Sequence, residues 1–163
     1  MNESLTSFCG LCCIDCIPSR DDFFTLVYRL DEMLEELQFE HYAELKSEIN
    51  EEFKDYPNFL SILHHIKGLR CSSPCKLGGG DPQCKIRLCA QGKGLEGCWQ
   101  CQARRSCSLL DRLRGIHPNL DYHLDLIEEI GPANWFEKRR EHYRWQVKAE
   151  QSAPADDPRR CLF

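Results

Sequence analysis

Twelve of the 163 residues are cysteine, and they are not scattered. The stretch F-C-G-L-C-C-I-D-C-I-P at residues 8–18 holds four of them. Seven more follow between residues 71 and 107, spaced C-x3-C-x8-C-x4-C-x8-C-x2-C-x5-C. A chain with this many clustered thiols is expected to fold around cross-links, either disulfides or thiolate-bound metal. The opening residues M-N-E-S-L-T-S-F carry neither a positive n-region nor an apolar run, so nothing marks the chain for export. Cys161 lies one residue too close to the end for a C-a-a-X lipidation box. The expected compartment is therefore the reducing cytoplasm, where a dense local set of cysteines points to metal.

Thiolates bind zinc in tetrahedral sets of four, and paired ligands come two to four residues apart because one tight turn must aim both sulfurs at a point. Cys98-x2-Cys101 fits, with Gly97 permitting a close approach, and Cys71-x3-Cys75 also fits. Cys84 and Cys89 are five apart and would point differently from one helix, which places Cys84 just before a helix that contains Cys89. Cys71, Cys75, Cys84 and Cys89 then make one complete set. Cys98, Cys101 and Cys107 need a fourth ligand, supplied by the opening cluster or by His117, whose ordinary reading is a capping histidine beside Pro118. Adjacent residues project in different directions, so Cys12 and Cys13 are not expected on one metal. Zinc is the first expectation. An iron–sulfur cluster is the alternative, since four thiolates hold that too.

The rest of the chain reads as helix. Asp21-Asp22 offers a cap, and Phe23, Leu26, Val27, Leu30, Leu34 and Leu37 recur on one face. Tyr42, Leu45, Ile49 and Phe53 continue in a second, acidic helix. A third opens at Pro57, carries Phe59, Leu60, Ile62, Leu63 and Ile66, and stops near Gly68, so that the three form a bundle wall. Short helices are expected at 108–113 and from Leu120 to Ile130, halted by Gly131-Pro132, with a last one carrying Trp135, Phe136, Tyr143 and Val147. Residues 152–160 read as a frayed tail.

Charge is unevenly divided. Residues 21–56 carry twelve Asp and Glu against three Lys and Arg, whereas residues 67–114 carry ten Lys and Arg against three acids. Nucleic acid, with Trp99 as a stacking platform, is the sharper reading of the basic block. The favoured one is compensation of metal thiolates, with the acidic helices answering the remainder. Gly78-Gly79-Gly80-Asp81-Pro82 lacks the Gly-Lys-Ser/Thr of a phosphate loop and reads as a flexible connector. His64-His65 reads as packed or solvated. No Cys–His pair stands out as catalytic, no membrane span is present, and an unidentified protein or small-molecule partner is left open.

The motifs also carry a resemblance. C-G-L-x-C-x-x-C at 9–16, the pair at 71 and 75, C-K-I-R-L-C-A at 84–90, G-C-W-Q-C at 97–101, Cys107 before two leucines and H-Y-R-W at 142–145 resemble a prokaryotic cysteine-rich family of undetermined function. The resemblance spans residues 8–145. It implies metal binding and assigns Cys9, Cys13 and Cys16 to the first motif, leaving Cys12 as the spare; the family's middle pair is usually C-x-x-C, from which 71–75 departs by one residue. The expected protein is mainly α, a helical bundle with an irregular cysteine-rich metal-binding insertion. One domain would cover residues 1–150: cysteine cluster 8–18, helices 21–68, cysteine-rich segment 71–107 and helices 108–148, followed by a tail at 151–163. Its expected work is that of a structural-zinc binding or regulatory module, or else of an iron–sulfur electron-transfer or redox-sensing protein. The expected ligands are Cys9, Cys13, Cys16, Cys71, Cys75, Cys84, Cys89, Cys98, Cys101 and Cys107.

Overall fold

The protein is described from a computed structural model over residues 3–146. Helix α1 spans Asp21–Glu36, and its N-cap is Arg20 without a side-chain cap. Asp21 and Asp22 lie inside the first turn, where their charge meets the positive end of the helix dipole. The expected cap is thus replaced by charge. Gln38 turns the chain in the left-handed region (φ 48°), and α2 follows at Phe39–Ser47. A single 3₁₀ segment, Glu51–Asp55, leads into α3 at Tyr56–Lys67. Pro57 sits in its first turn and Gly68 at its C-cap, as the sequence indicates.

These three helices form a small unit with its own thin core of Phe24, Val27, Ala43, Tyr56 and Leu63. Asp31 on α1 holds it together by bonding both Lys67 and His64 of α3. The burial differs from the expected bundle wall. Phe23, Leu26 and Leu30 of α1, Leu37 at its C-cap, Tyr42 and Leu45 of α2, Ile49, and Phe59 and Ile62 of α3 are all exposed. Amphipathic spacing fixes that one face is apolar; it does not guarantee a partner for that face.

The larger core lies in the other half. Helix α4 is Lys85–Gly92, α5 Ser108–Ile116 and α6 Leu120–Ile130, the last ended by Gly131 at φ 85°. Leu120, Leu124 and Ile127 of α6 are within 1% of full burial and pack with Leu110, Trp99, Trp135, Phe136 and Cys12. Each such aliphatic side chain contributes about 1.5–3 kcal/mol. The last expected helix is not formed: after α6 the chain makes only one-turn 3₁₀ segments at Phe136–Lys138 and Arg144–Gln146. Val147 and the expected tail lie outside the described residues.

No strand occurs among the described residues, only an isolated bridge between Thr6 and Cys12. Segment 71–107 is less irregular than its composition suggests, for it contains α4 and turns at Cys75–Leu77, Cys98–Gln100 and Arg104–Ser106. The glycine loop is not slack either. Arg87, itself buried, donates to the carbonyls of Gly79 and Asp81, and a Cβ on Gly79 would fall 1.5 Å from the Ser73 carbonyl oxygen.

Candidate metal centres

The N-terminal loop is laid across both cysteine-rich turns by two backbone hydrogen bonds. The Cys71 amide donates to Pro18 O at 2.8 Å, and the Cys98 amide donates to Phe8 O at 2.7 Å. The first brings residues 71–75 beside Cys13 and Cys16. The second brings the Cys98 turn beside Cys9.

This docking regroups the thiols. Cys13 receives a hydrogen bond from the backbone of Cys75 and feels the charges of Cys75 and Cys71. Cys16 feels Cys71, Cys13 and Cys75. Cys13, Cys16, Cys71 and Cys75 are therefore one neighbourhood, a C-x2-C turn facing a C-x3-C turn. Cys98 in turn feels Cys9, Cys107, Cys101 and Cys89. Cys89, Cys98, Cys101 and Cys107 line a single open cavity of about 310 Å³, together with apolar Ile86, Ala90, Leu95 and Leu110 and polar Lys93, Arg104, Ser106 and Ser108. Cys84 is the N-cap residue of α4, and Cys89 lies within that helix, as their spacing indicates.

The expected groupings thus change partners: Cys71 and Cys75 meet Cys13 and Cys16, while Cys89 completes the set at Cys98–Cys107. Cys84 falls outside both sets, and Cys9 lies beside Cys98 without lining the cavity. The Cys9 sulfur is 3.1 Å from Ser7 Oγ and feels Cys75 and Cys84, so it lies between the two. The Ser7 hydroxyl already accepts from the Leu11 amide at 2.9 Å, which leaves its own proton to donate to sulfur. Cys12 is packed into the apolar core at 1% exposure, and the charged groups acting on it are Asp15 and Arg139. Cys161 lies outside the described residues.

Burial is the first cause of every raised thiol pKa here. It pushes Cys9 and Cys12 up to about 11 and, with the neighbouring thiols adding to it, Cys98 up to about 12. Cys13 and Cys16 are raised for the same reason. Without a cation these groups are neutral thiols at pH 7, and a bound metal would supply the charge that makes them thiolates. None of the eleven described cysteines is in a disulfide. Among the described residues no three His, Cys, Asp or Glu side chains form a group that could hold a metal ion. This holds for the cavity cysteines and for Cys13, Cys16, Cys71 and Cys75 alike.

His117 is not part of either set. Its Nδ1 lies 2.7 Å from the His142 carbonyl oxygen, and its ring packs on His142 and Tyr143. Tyr143 touches the first set instead. Its hydroxyl accepts from the Ile17 amide at 3.4 Å and points its own proton at Cys16 Sγ, 3.8 Å away. No sequence signal identified that contact.

Three arginines of the basic block are answered locally. Arg104 bonds Asp125 and Glu128, Arg105 bonds Asp125, and Arg114 bonds Asp121 and Asp111. Carboxylates of α5 and α6 do this, where the acidic helices of residues 21–56 had been expected to answer what the metal thiolates left. Only Lys67 and Arg70, at the edge of the block, reach α1, through Asp31 and Asp21. Trp99 is 3% exposed and belongs to the core, which removes the stacking platform proposed for nucleic acid. No helix among the described residues is long and apolar enough to cross a membrane.

No family model, curated protein or solved structure matches the chain. The functional reading rests on the thiols.

Proposed function

We propose that this is a thiolate-bound iron–sulfur protein, acting in electron transfer or redox sensing, with its cluster held by Cys89, Cys98, Cys101 and Cys107. The observation that carries this is the cavity of about 310 Å³ that those four sulfurs line together. Zinc at a four-sulfur site sits about 2.3 Å from each ligand, which draws its four sulfurs onto one point. A cluster spreads four thiolates over several irons and fills the space between them. The apolar wall of Ile86, Ala90, Leu95 and Leu110 supports the reading, because burial from water is one of the levers that sets a cluster's potential. Zinc, the first expectation from sequence, is proposed for the other set on ligand spacing. There the two short-spaced pairs Cys13-x2-Cys16 and Cys71-x3-Cys75 face each other, and the Cys75 amide already bonds to the Cys13 sulfur.

Anaerobic purification with iron, sulfide, zinc and visible absorption measured together tests both assignments. The expected protein is brown, with about four iron and four sulfide per chain and one zinc per chain as a tetrathiolate site requires. Cys98→Ser bleaches it and retains the zinc, whereas Cys71→Ser loses the zinc. A colourless wild-type protein with zinc alone would overturn the iron–sulfur reading.

A further inference from the structure

We propose that the protein self-associates through the outer face of α1, which pairs antiparallel with α1 of a second copy. Phe23, Leu26, Leu30, Met33 and Leu37 follow one another at intervals of three, four, three and four residues, the seam of a two-stranded coiled coil. All five are exposed: 39%, 71%, 43%, 42% and 66%. They lie on the side of α1 away from α3, which instead meets Tyr28 and Asp31. A continuous apolar seam of this kind on an exposed face is the mark of an interaction surface, unlike scattered single residues.

Charge identifies the occupant as a second copy. The positions flanking this seam on its free side are Arg29 and Glu36, 57% and 65% exposed, their side chains 3.8 Å apart within the helix. In an antiparallel pair whose layers are Leu26 on Leu37 and Leu30 on Met33, Arg29 of one copy and Glu36 of the other fall between the same two layers. The twofold axis makes that ion pair twice. A parallel pair would instead set Arg29 against Leu34. Of the remaining acids that the helical wheel places away from the seam, Glu32 pairs with Arg29 of its own helix at 3.6 Å, and Glu35 lies farther round. One 16-residue helix is about 24 Å long, so the interface is small and the dimer weak and concentration-dependent.

Sedimentation equilibrium on the full chain tests the proposal. The wild type is expected to show a reversible monomer–dimer equilibrium. Leu30→Glu, at an exposed position, should raise Kd by roughly tenfold or more with an unchanged far-UV spectrum. Glu36→Arg and Arg29→Glu should each weaken association, and the double exchange Arg29→Glu with Glu36→Arg should restore it, because the pair re-forms with its signs reversed. A wild type monomeric up to millimolar concentration would overturn the proposal. So would a dimer indifferent to Leu30→Glu, or a double exchange weaker than either single one.

Discussion

Thr6 is among the most fully determined residues of the fold. It is completely buried, accepts a hydrogen bond from the Trp135 indole N–H at 2.8 Å and donates to the Pro132 carbonyl at 3.0 Å. One hydroxyl therefore satisfies two buried groups more than 120 residues away in sequence. Thr6→Val keeps the shape and strands both, at a cost of about 2–4 kcal/mol, whereas Thr6→Ser should cost far less. Urea denaturation of the two variants checks this, and equal losses would show that the hydroxyl is not what matters. Gly97 is constrained by space: a Cβ there would lie 2.0 Å from the Trp99 ring, so the turn carrying Cys98 and Cys101 closes onto the core only with glycine. That residue was legible from its place before C-x2-C. The role of Thr6 was not, because nothing local to it in the sequence names its partners.

The elements that close the second half bring their histidines inside. His123 on α6 and His142 beyond it are 2% and 3% exposed, and burial pushes both down to about 4. The groups around them are His117, Asp15 and Arg139; Asp15 pulls the imidazoles upward, and Arg139 opposes it while bonded to Asp15 itself. His123 Nε2 accepts from the Arg140 amide, and neither ring nitrogen of His142 has a partner among the described residues. The sign follows directly. Below the ordinary histidine value of about 6.5 the unfolded chain takes up protons that the folded chain refuses, so stability falls from about pH 6.5 to about pH 4. Each ring contributes on the order of 3 kcal/mol to that slope. His142→Phe should flatten the acid limb and cost little at pH 7, since it removes two unpaired nitrogens from the interior. Thermal unfolding across this range measures it, and an unchanged acid limb would show that His142 does not carry the effect. The helices themselves were mostly readable: Pro57, Gly68 and Gly131 mark boundaries where the structure has them. The last expected helix failed because its aromatics are held singly, Trp135 by Thr6 and Tyr143 between His117 and His142, and not as one helical face.

At the scale of the molecule, helices α1–α3 hold a small core of their own, while the cysteine-rich half joins α4–α6 around Trp99 and Leu124. Metal removal should therefore act on one half. With the proposed centres stripped by chelator under reducing conditions, helicity should fall only partly and proteolysis should concentrate in residues 71–107, with α1–α3 retained. An unchanged digestion pattern would argue that the thiols do not hold that segment. The sequence by itself determined a mainly helical chain with eleven of its twelve cysteines in two clusters, the helix boundaries set by proline and glycine, and Cys84 placed just before a helix. These are local matters of backbone conformation and side-chain period, which neighbouring residues encode. Which thiols face each other, which apolar stripe is left uncovered and which carboxylates answer the arginines were decided only by tertiary structure. The physical reason is that such pairings depend on docking between distant segments: the bonds from Cys71 to Pro18 and from Cys98 to Phe8 join parts of the chain whose spacing carries no period to read.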